Sequence, residues 1–480
     1  VTYGCFNYKF NIALIGVLLI WINNIIFSFE KLKERIVFCF FNVTIFVFLL
    51  SRPTISMFRN NQWWYFNNES VVFSLIGLYI SILFLFLGAI LAEELLKKKY
   101  KNVFKTKPFQ INENKSFIKS LQIISFAAFC ITAVCFFMGE VEKLIFMNGR
   151  EYEEFYIEFT SKLPYVISTI GSMMKYCICI FLATLPSKKI SFFVLCVYVI
   201  SALPSLIIGM RNPIVLNTIF AVLYYIIRDL LENSKRWFGK IEKIVVTISV
   251  PAAMLFLSAY NYIRAGTQSK SGSIWDSIVD LFYKQGVSYD VLNIGYNSIP
   301  NLPNKVPKNY TFGTIIDYFT HNNLAQALFG AKDLGTGNSV VMAEYSNSFA
   351  HSMSYVAKDD YLQGHGWGTS YILETYADFG YLGIILFSLI FGALLIYLVY
   401  LCRKGCLSRT IVFMIFTTIF FTPRAEAVSS ITFLFTMQFW VCVGACFLLA
   451  KACQKEYSFI SNKNNLINCR RIQKCSKISG

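Results

Sequence analysis

Four arginines sit in short polar breaks between apolar runs: Arg211 in GMRNP, Arg264 in NYIRAG, Arg424 in FTPRAE and Arg150 in NGREYEEFY. A guanidinium is permanently charged, and its planar fork of donors matches two phosphate oxygens at once. One such residue is equally well explained by snorkelling to headgroups; several brought to one side of a membrane suit a lipid diphosphate. Lys175, in GSMMKYCICI, is a cation in mid-run that should face a bundle interior, binding an anion or pairing with an acid. The acids lie in HGWGTSYILETYADFGYLG, where Glu374 and Asp378 are four apart and share a helical face, with Tyr371 one turn above Glu374. One reading makes them helix-start acids favoured by the dipole. The other makes one of them a general base whose carboxyl is tuned by partial burial. Glu344 in VMAEYSN, His351 in SFAHS and His365 are further acid–base candidates.

These groups must be positioned by membrane helices. Of 480 residues 56% are apolar and 15% charged. Continuous apolar stretches of roughly 20 residues, the length that crosses the hydrocarbon layer, fall near 9–28, 36–51, 71–92, 120–139, 165–186, 190–209, 212–228, 244–262, 379–401, 410–422 and 431–450. The expected class is an all-α polytopic membrane protein with about eleven spans, ten to twelve allowing for the short ones; unbroken apolar runs exclude a barrel. Pro423 beside Arg424, after a span too short to cross alone, points to a broken helix lining a cavity.

The net charge of +17 first suggests a nucleic-acid binder, but its distribution is topological. Loops 29–35, 93–119, 187–189, 228–243 and 402–409 and the tail after 450 hold 28 of the 44 Lys and Arg and 9 of the 27 Asp and Glu. That asymmetry puts these loops in the cytoplasm and the amino terminus and the arginine breaks outside. The division expected is spans one to eight over 1–263, an outer cap over 264–371, three spans over 372–450 and a basic cytoplasmic tail over 451–480. Within the cap, SIWDSIVDLF reads as an amphipathic surface helix, with Asp276 and Asp280 opposite its apolar face, and 315–330 reads as a second helix. The three histidines, His321, His351 and His365, all fall in the cap, but their spacing lacks a zinc pattern, and His321 reads as a surface residue. The 14 cysteines contain no CxxC pair and read as packing residues. No metal or cofactor is expected, and no Walker or Rossmann glycine pattern appears.

Many spans, one late cap, GMRNP, NYIRAG, GTSYILETYADFGYLG entering a span and a late PRAE together resemble the Wzy-type O-antigen and capsule polymerases, over roughly residues 120–450. The resemblance implies a GT-C-type glycosyltransferase of the bacterial inner membrane. It would move a growing glycan from undecaprenyl diphosphate to the next lipid-linked repeat unit at the outer face. It implies that Arg211, Arg264 and Arg424 hold diphosphate, with Arg150 a weaker fourth. Its implied partners are lipid-linked oligosaccharide as donor and acceptor, membrane lipids, a chain-length regulator and a flippase, with no nucleic acid. The Arg-x10-Gly and His-x10-Gly patterns described for some members do not fit, since Val222 follows Arg211 by eleven and Tyr376 follows His365 by eleven. The alternatives are an O-antigen ligase-type transferase and a flippase for the same lipid-linked unit.

Overall fold

The structure is a computed structural model that describes residues 1–99, 113–150, 154, 155, 158–231, 237–240, 242–244, 274–335 and 337–454. Every regular element among them is a helix. Ten are long and apolar enough to cross a membrane, and the protein is an integral membrane protein: α1 Phe10–Glu30, α2 Ile36–Phe58, α3 Asn68–Lys98, α4 Lys115–Phe146, α5 Tyr165–Ala183, α6 Lys188–Ile208 and α7 Asn212–Leu231 precede the cap region. After it come Tyr371–Leu401, Cys406–Arg424 and Met437–Gln454. These match ten of the expected spans; the eighth, near 244–262, and Arg264 lie outside the described residues, as does the tail from 455.

Between α7 and the late spans the described residues form six short α-helices: α8 Ile274–Gln285, α9 Ser288–Ser298, α10 Gly313–Thr320, α11 Asn323–Phe329, α12 Val340–Tyr345 and α13 Phe349–Ala357. We label the late spans α14, α15 and α16. The stretch expected as one helix over 315–330 is two, because the Asn322 side chain accepts from Ala325 N at 2.8 Å and starts a new helix. The amphipathic helix is α8, with Trp275 exposed and Leu281 buried. Asp280, placed by the sequence opposite the apolar face, is partly exposed and bonds Arg59 of α2 at 3.1 Å.

The shaft of the bundle is α3 against α14, packed along most of their length. Gly88 and Gly392 let the two backbones touch: a Cβ on Gly88 would stand 2.0 Å from the Leu389 carbonyl, and one on Gly392 2.1 Å from that of Leu85. Small residues at such crossings are what helix association in lipid favours. At the basic-loop end, Glu93 gathers Lys31 at 2.5 Å, Arg35 at 2.6 Å and Lys97 at 2.9 Å, tying α1, α2 and α3. Arg409, 1% exposed, donates to the Ala183 carbonyl at 2.7 Å and fixes α15 to α5.

At the cap end α14 is capped by Ser370, whose side chain accepts from Ile372 N. It is broken at Gly380 (φ 62°, ψ −155°), a backbone conformation open essentially to glycine alone. The chain bends so sharply there that a Cβ on Gly383 would meet the Thr375 carbonyl at 2.2 Å.

Candidate functional site

The regular helix of α15 ends at Phe416 and the span finishes as a tight turn over Ile419–Arg424 with Pro423 inside it. Proline has no N–H to continue the helical ladder, so the chain leaves the bundle with Arg424 at the rim and crosses the cap end in turns before Met437. Arg424 Nη1 donates to Gln285 Oε1 at 3.4 Å. Arg211 is placed by its neighbours: Gly209 ends α6 in the left-handed region (φ 113°), Pro213 lies in the first turn of α7, and the arginine is held in the turn between. The two guanidiniums are close enough to act on each other electrostatically. Like charges that feel each other in partly buried surroundings repel and together favour an anion.

Two residues beyond Arg424, Glu426 accepts from Ser348 Oγ at 3.2 Å. Burial, and then the charge of Asp317, raise its carboxyl above the ordinary carboxylate range. Asp317 itself accepts from Asn347 N at 3.0 and 2.9 Å and from Asn347 Nδ2 at 2.7 Å, and burial raises its carboxyl too. Behind Glu426 stands Glu374, fully buried, whose Oε2 accepts from Ala427 N at 2.7 Å while its Oε1 has no hydrogen-bond partner. Thr369 sits beside it, off hydrogen-bond geometry, and its Oγ1 is likewise buried and unpaired. Glu374 therefore pins the segment that carries Glu426, while Glu426 keeps some exposure. Gly368 is in the same corner, with the Arg424 carbonyl 3.9 Å from where its Cβ would be.

The structure brings Arg211, Arg424 and Glu374 into one region, and the other sequence candidates have other engagements. Asp378 acts electrostatically on Glu374, but its oxygens accept from Tyr310 N at 3.1 Å and Thr311 N at 2.6 Å, holding a cap turn. Tyr361 OH donates to the Ser339 carbonyl at 3.2 Å, so the 3.0 Å contact from His351 Nδ1 is a donation by the ring, which leaves Nε2 as the acceptor. Burial lowers the pKa of His351 and keeps it neutral. His365 Nε2 lies 3.9 Å from Asp360 Oδ2. Glu344 pairs with Lys305 at 2.7 Å. Arg150 pairs with Glu158 at 2.7 Å and rests on the Phe146 ring at 4.3 Å. Lys175 stands where α5 breaks between Ser172 and Met174. Its side chain is exposed, and no carboxylate pairs with it among the described residues.

Sequence reasoning missed Glu426, Asp317 and Arg52. Glu426 stands in PRAE two residues after the more conspicuous cation. Arg52 carried the signature that singled out Arg424: an arginine flanking proline at the cap end of an apolar span. It pairs with Asp290 at 2.8 Å and covers the Tyr283 ring at 4.8 Å, against the turn that follows Gln285. Among the described residues no cluster of three or more His, Cys, Asp and Glu has metal-site geometry.

A family model described as "O-antigen polysaccharide polymerase Wzy" matches residues 1–457. No curated protein and no solved structure matches the chain.

Proposed function

The chain belongs to the O-antigen polysaccharide polymerase Wzy family, and on that premise we propose that it extends lipid-linked repeat units at the outer face of a bacterial inner membrane. The donor is the growing glycan on undecaprenyl diphosphate, the acceptor is the next lipid-linked unit, and the enzyme is of the GT-C type. The observation that carries this reading is that one irregular segment delivers both halves of the chemistry. Arg424, with Arg211 beside it, is a seat for diphosphate, and Glu426, two residues on, is a carboxylate tuned upward for proton transfer.

In the step, Glu426 takes the proton of the acceptor hydroxyl, and the oxygen attacks the anomeric carbon of the growing chain. The bond from that carbon to the diphosphate oxygen breaks, and its electron pair leaves with the diphosphate. Arg211 and Arg424 offset the charge that develops there, the kind of preorganised electrostatic stabilisation that dominates many transfers. Glu374 acts through Glu426 by holding Ala427 N. Arg264 and Lys175 remain candidates for the lipid-diphosphate path, and a flippase and a chain-length regulator are the companions this reaction calls for.

The test is the gel profile of surface glycan from cells lacking this chain, with and without complementation. Single repeat units at the surface without a ladder are the expected result. A lipid-linked unit accumulating on the cytoplasmic face would make the chain a flippase. A ladder that forms but never reaches a second acceptor such as lipid A core would make it a ligase.

A further inference from the structure

The cap contains a cleft of about 360 Å³ between the turn at 306–309, α10 and the end of α12. Pro307 and Ile316 give it carbon surface, and Lys308, Asn309, His321 and Tyr345 give it polar groups. Much of their bonding capacity remains open. Lys308 Nζ donates to the Ala343 carbonyl at 2.6 Å and Ser352 Oγ at 2.8 Å, which leaves one of its three protons. His321 Nδ1 donates to the Lys332 carbonyl at 2.9 Å, which leaves Nε2 for a further hydrogen bond. Lys332 Nζ lies 3.5 Å over the Tyr345 ring and steadies it. Burial lowers the Lys308 amine to about 8, which leaves it largely cationic at neutral pH. Mixed donors, acceptors and carbon faces suit a pyranose, whose hydroxyls donate and accept around an apolar ring face.

The location matters as much as the lining. Asn347 lines the cleft, and the next residue, Ser348, donates to Glu426. Asn347 also holds Asp317, whose charge acts on Glu426. Consecutive Cα atoms are about 3.8 Å apart, so the cleft and the proton-accepting carboxylate are separated by one backbone step and its side chains.

We propose that this cleft is a subsite for one or two sugar residues of the acceptor glycan, adjoining the residue whose hydroxyl attacks. The proposal rests on the polymerase reading above. It adds that the cap, and not the membrane bundle, selects the acceptor sugar.

The experiment uses the full chain in detergent and, as probe, the repeat-unit oligosaccharide freed from its lipid by mild acid, followed by saturation-transfer NMR and titration. Thr320→Trp lays an indole across the mouth; Thr320 is exposed and bonds only the Ile316 carbonyl of its own helix, so the fold tolerates it. Asn309→Asp keeps the oxygen that accepts from Phe312 N and removes the amide donor. Both variants should bind the oligosaccharide about tenfold more weakly, with the acceptor KM raised to match and kcat within about twofold. Wild-type-like binding by both variants, or no binding by the wild type, would overturn the subsite, and so would a fall in kcat at unchanged KM. A deletion strain that keeps its ladder sinks the polymerase reading instead, because the titration with free oligosaccharide reports on the cleft alone.

Discussion

Glu426→Gln separates chemistry from architecture. The amide oxygen still accepts from Ser348 Oγ, the one bond Glu426 makes there at 3.2 Å, so the loop keeps its tie to the cap. What is lost is the proton acceptor, and general-base groups contribute about 10²–10⁴ in rate, roughly 3–5 kcal/mol of barrier. Stability should move the other way or stay level, because a half-buried carboxylate that feels the charge of Asp317 is replaced by a neutral group of the same shape. The assay is chain extension on purified lipid-linked unit, alongside the thermal midpoint in detergent. The pH profile adds a second readout. A carboxyl raised in the folded protein is ionised only above its raised pKa, so the rate climbs with pH through a value above the ordinary carboxylate range. Asp317→Asn removes the neighbouring charge that Glu426 feels and should move this limb to lower pH. Extension at the wild-type rate by Glu426→Gln would refute the assignment. A loss of rate matched by a loss of thermal midpoint would show that the residue is structural.

Arg424→Ala and Arg424→Lys should each reduce extension by about 10²–10³, lysine failing because a point charge cannot replace the bidentate fork; single units on the gel in place of a ladder are the readout. Asp290 is a carboxyl raised to about 6 because burial outweighs its ion pair with Arg52. With an unfolded value near 3.9 this costs about 3 kcal/mol when it ionises. The folded protein holds that proton longer than the unfolded chain, so stability from this group is full below about pH 4 and is lost as pH rises to about 6; Asp290→Asn should flatten the fall in thermal midpoint over that window, about pH 4 to 6. Gly88→Ala puts a methyl against the Leu389 carbonyl, backbone that cannot swing aside, and should lower stability by about 1–3 kcal/mol.

The spans were legible because hydrocarbon admits few solutions: a long apolar run becomes a helix, and ten of those read from the sequence are present among the described residues. Arg211 and Arg424 were legible for the same reason, since a charge at the end of such a run is expensive enough to need an explanation. The cap was less so. Its helices are short and set by single side chains, as Asn322 shows by dividing 315–330. Glu374 and Asp378 share a helical face as periodicity requires, yet periodicity does not say what faces them: Ala427 N meets one and the turn at 310–311 meets the other. The grouping of Glu426 with Asp317 joins residues more than a hundred positions apart, for which no local pattern exists.

The break at Gly380 makes α14 two mechanical parts with different loyalties. Below it, the shaft is clamped to α3 by backbones in contact at Gly88 and Gly392, and it is as stiff as the bundle. Above it, the turn carrying Glu374 and Asp378 is bonded to the cap and to the segment after Arg424. A helix continuous through residue 380 would transmit every tilt of one part to the other as torque. With the joint in place, a tilt of one part reaches the other only through side-chain contacts, such as that of Tyr371 OH with Ser81 Oγ at 2.6 Å, and not through a rigid rod.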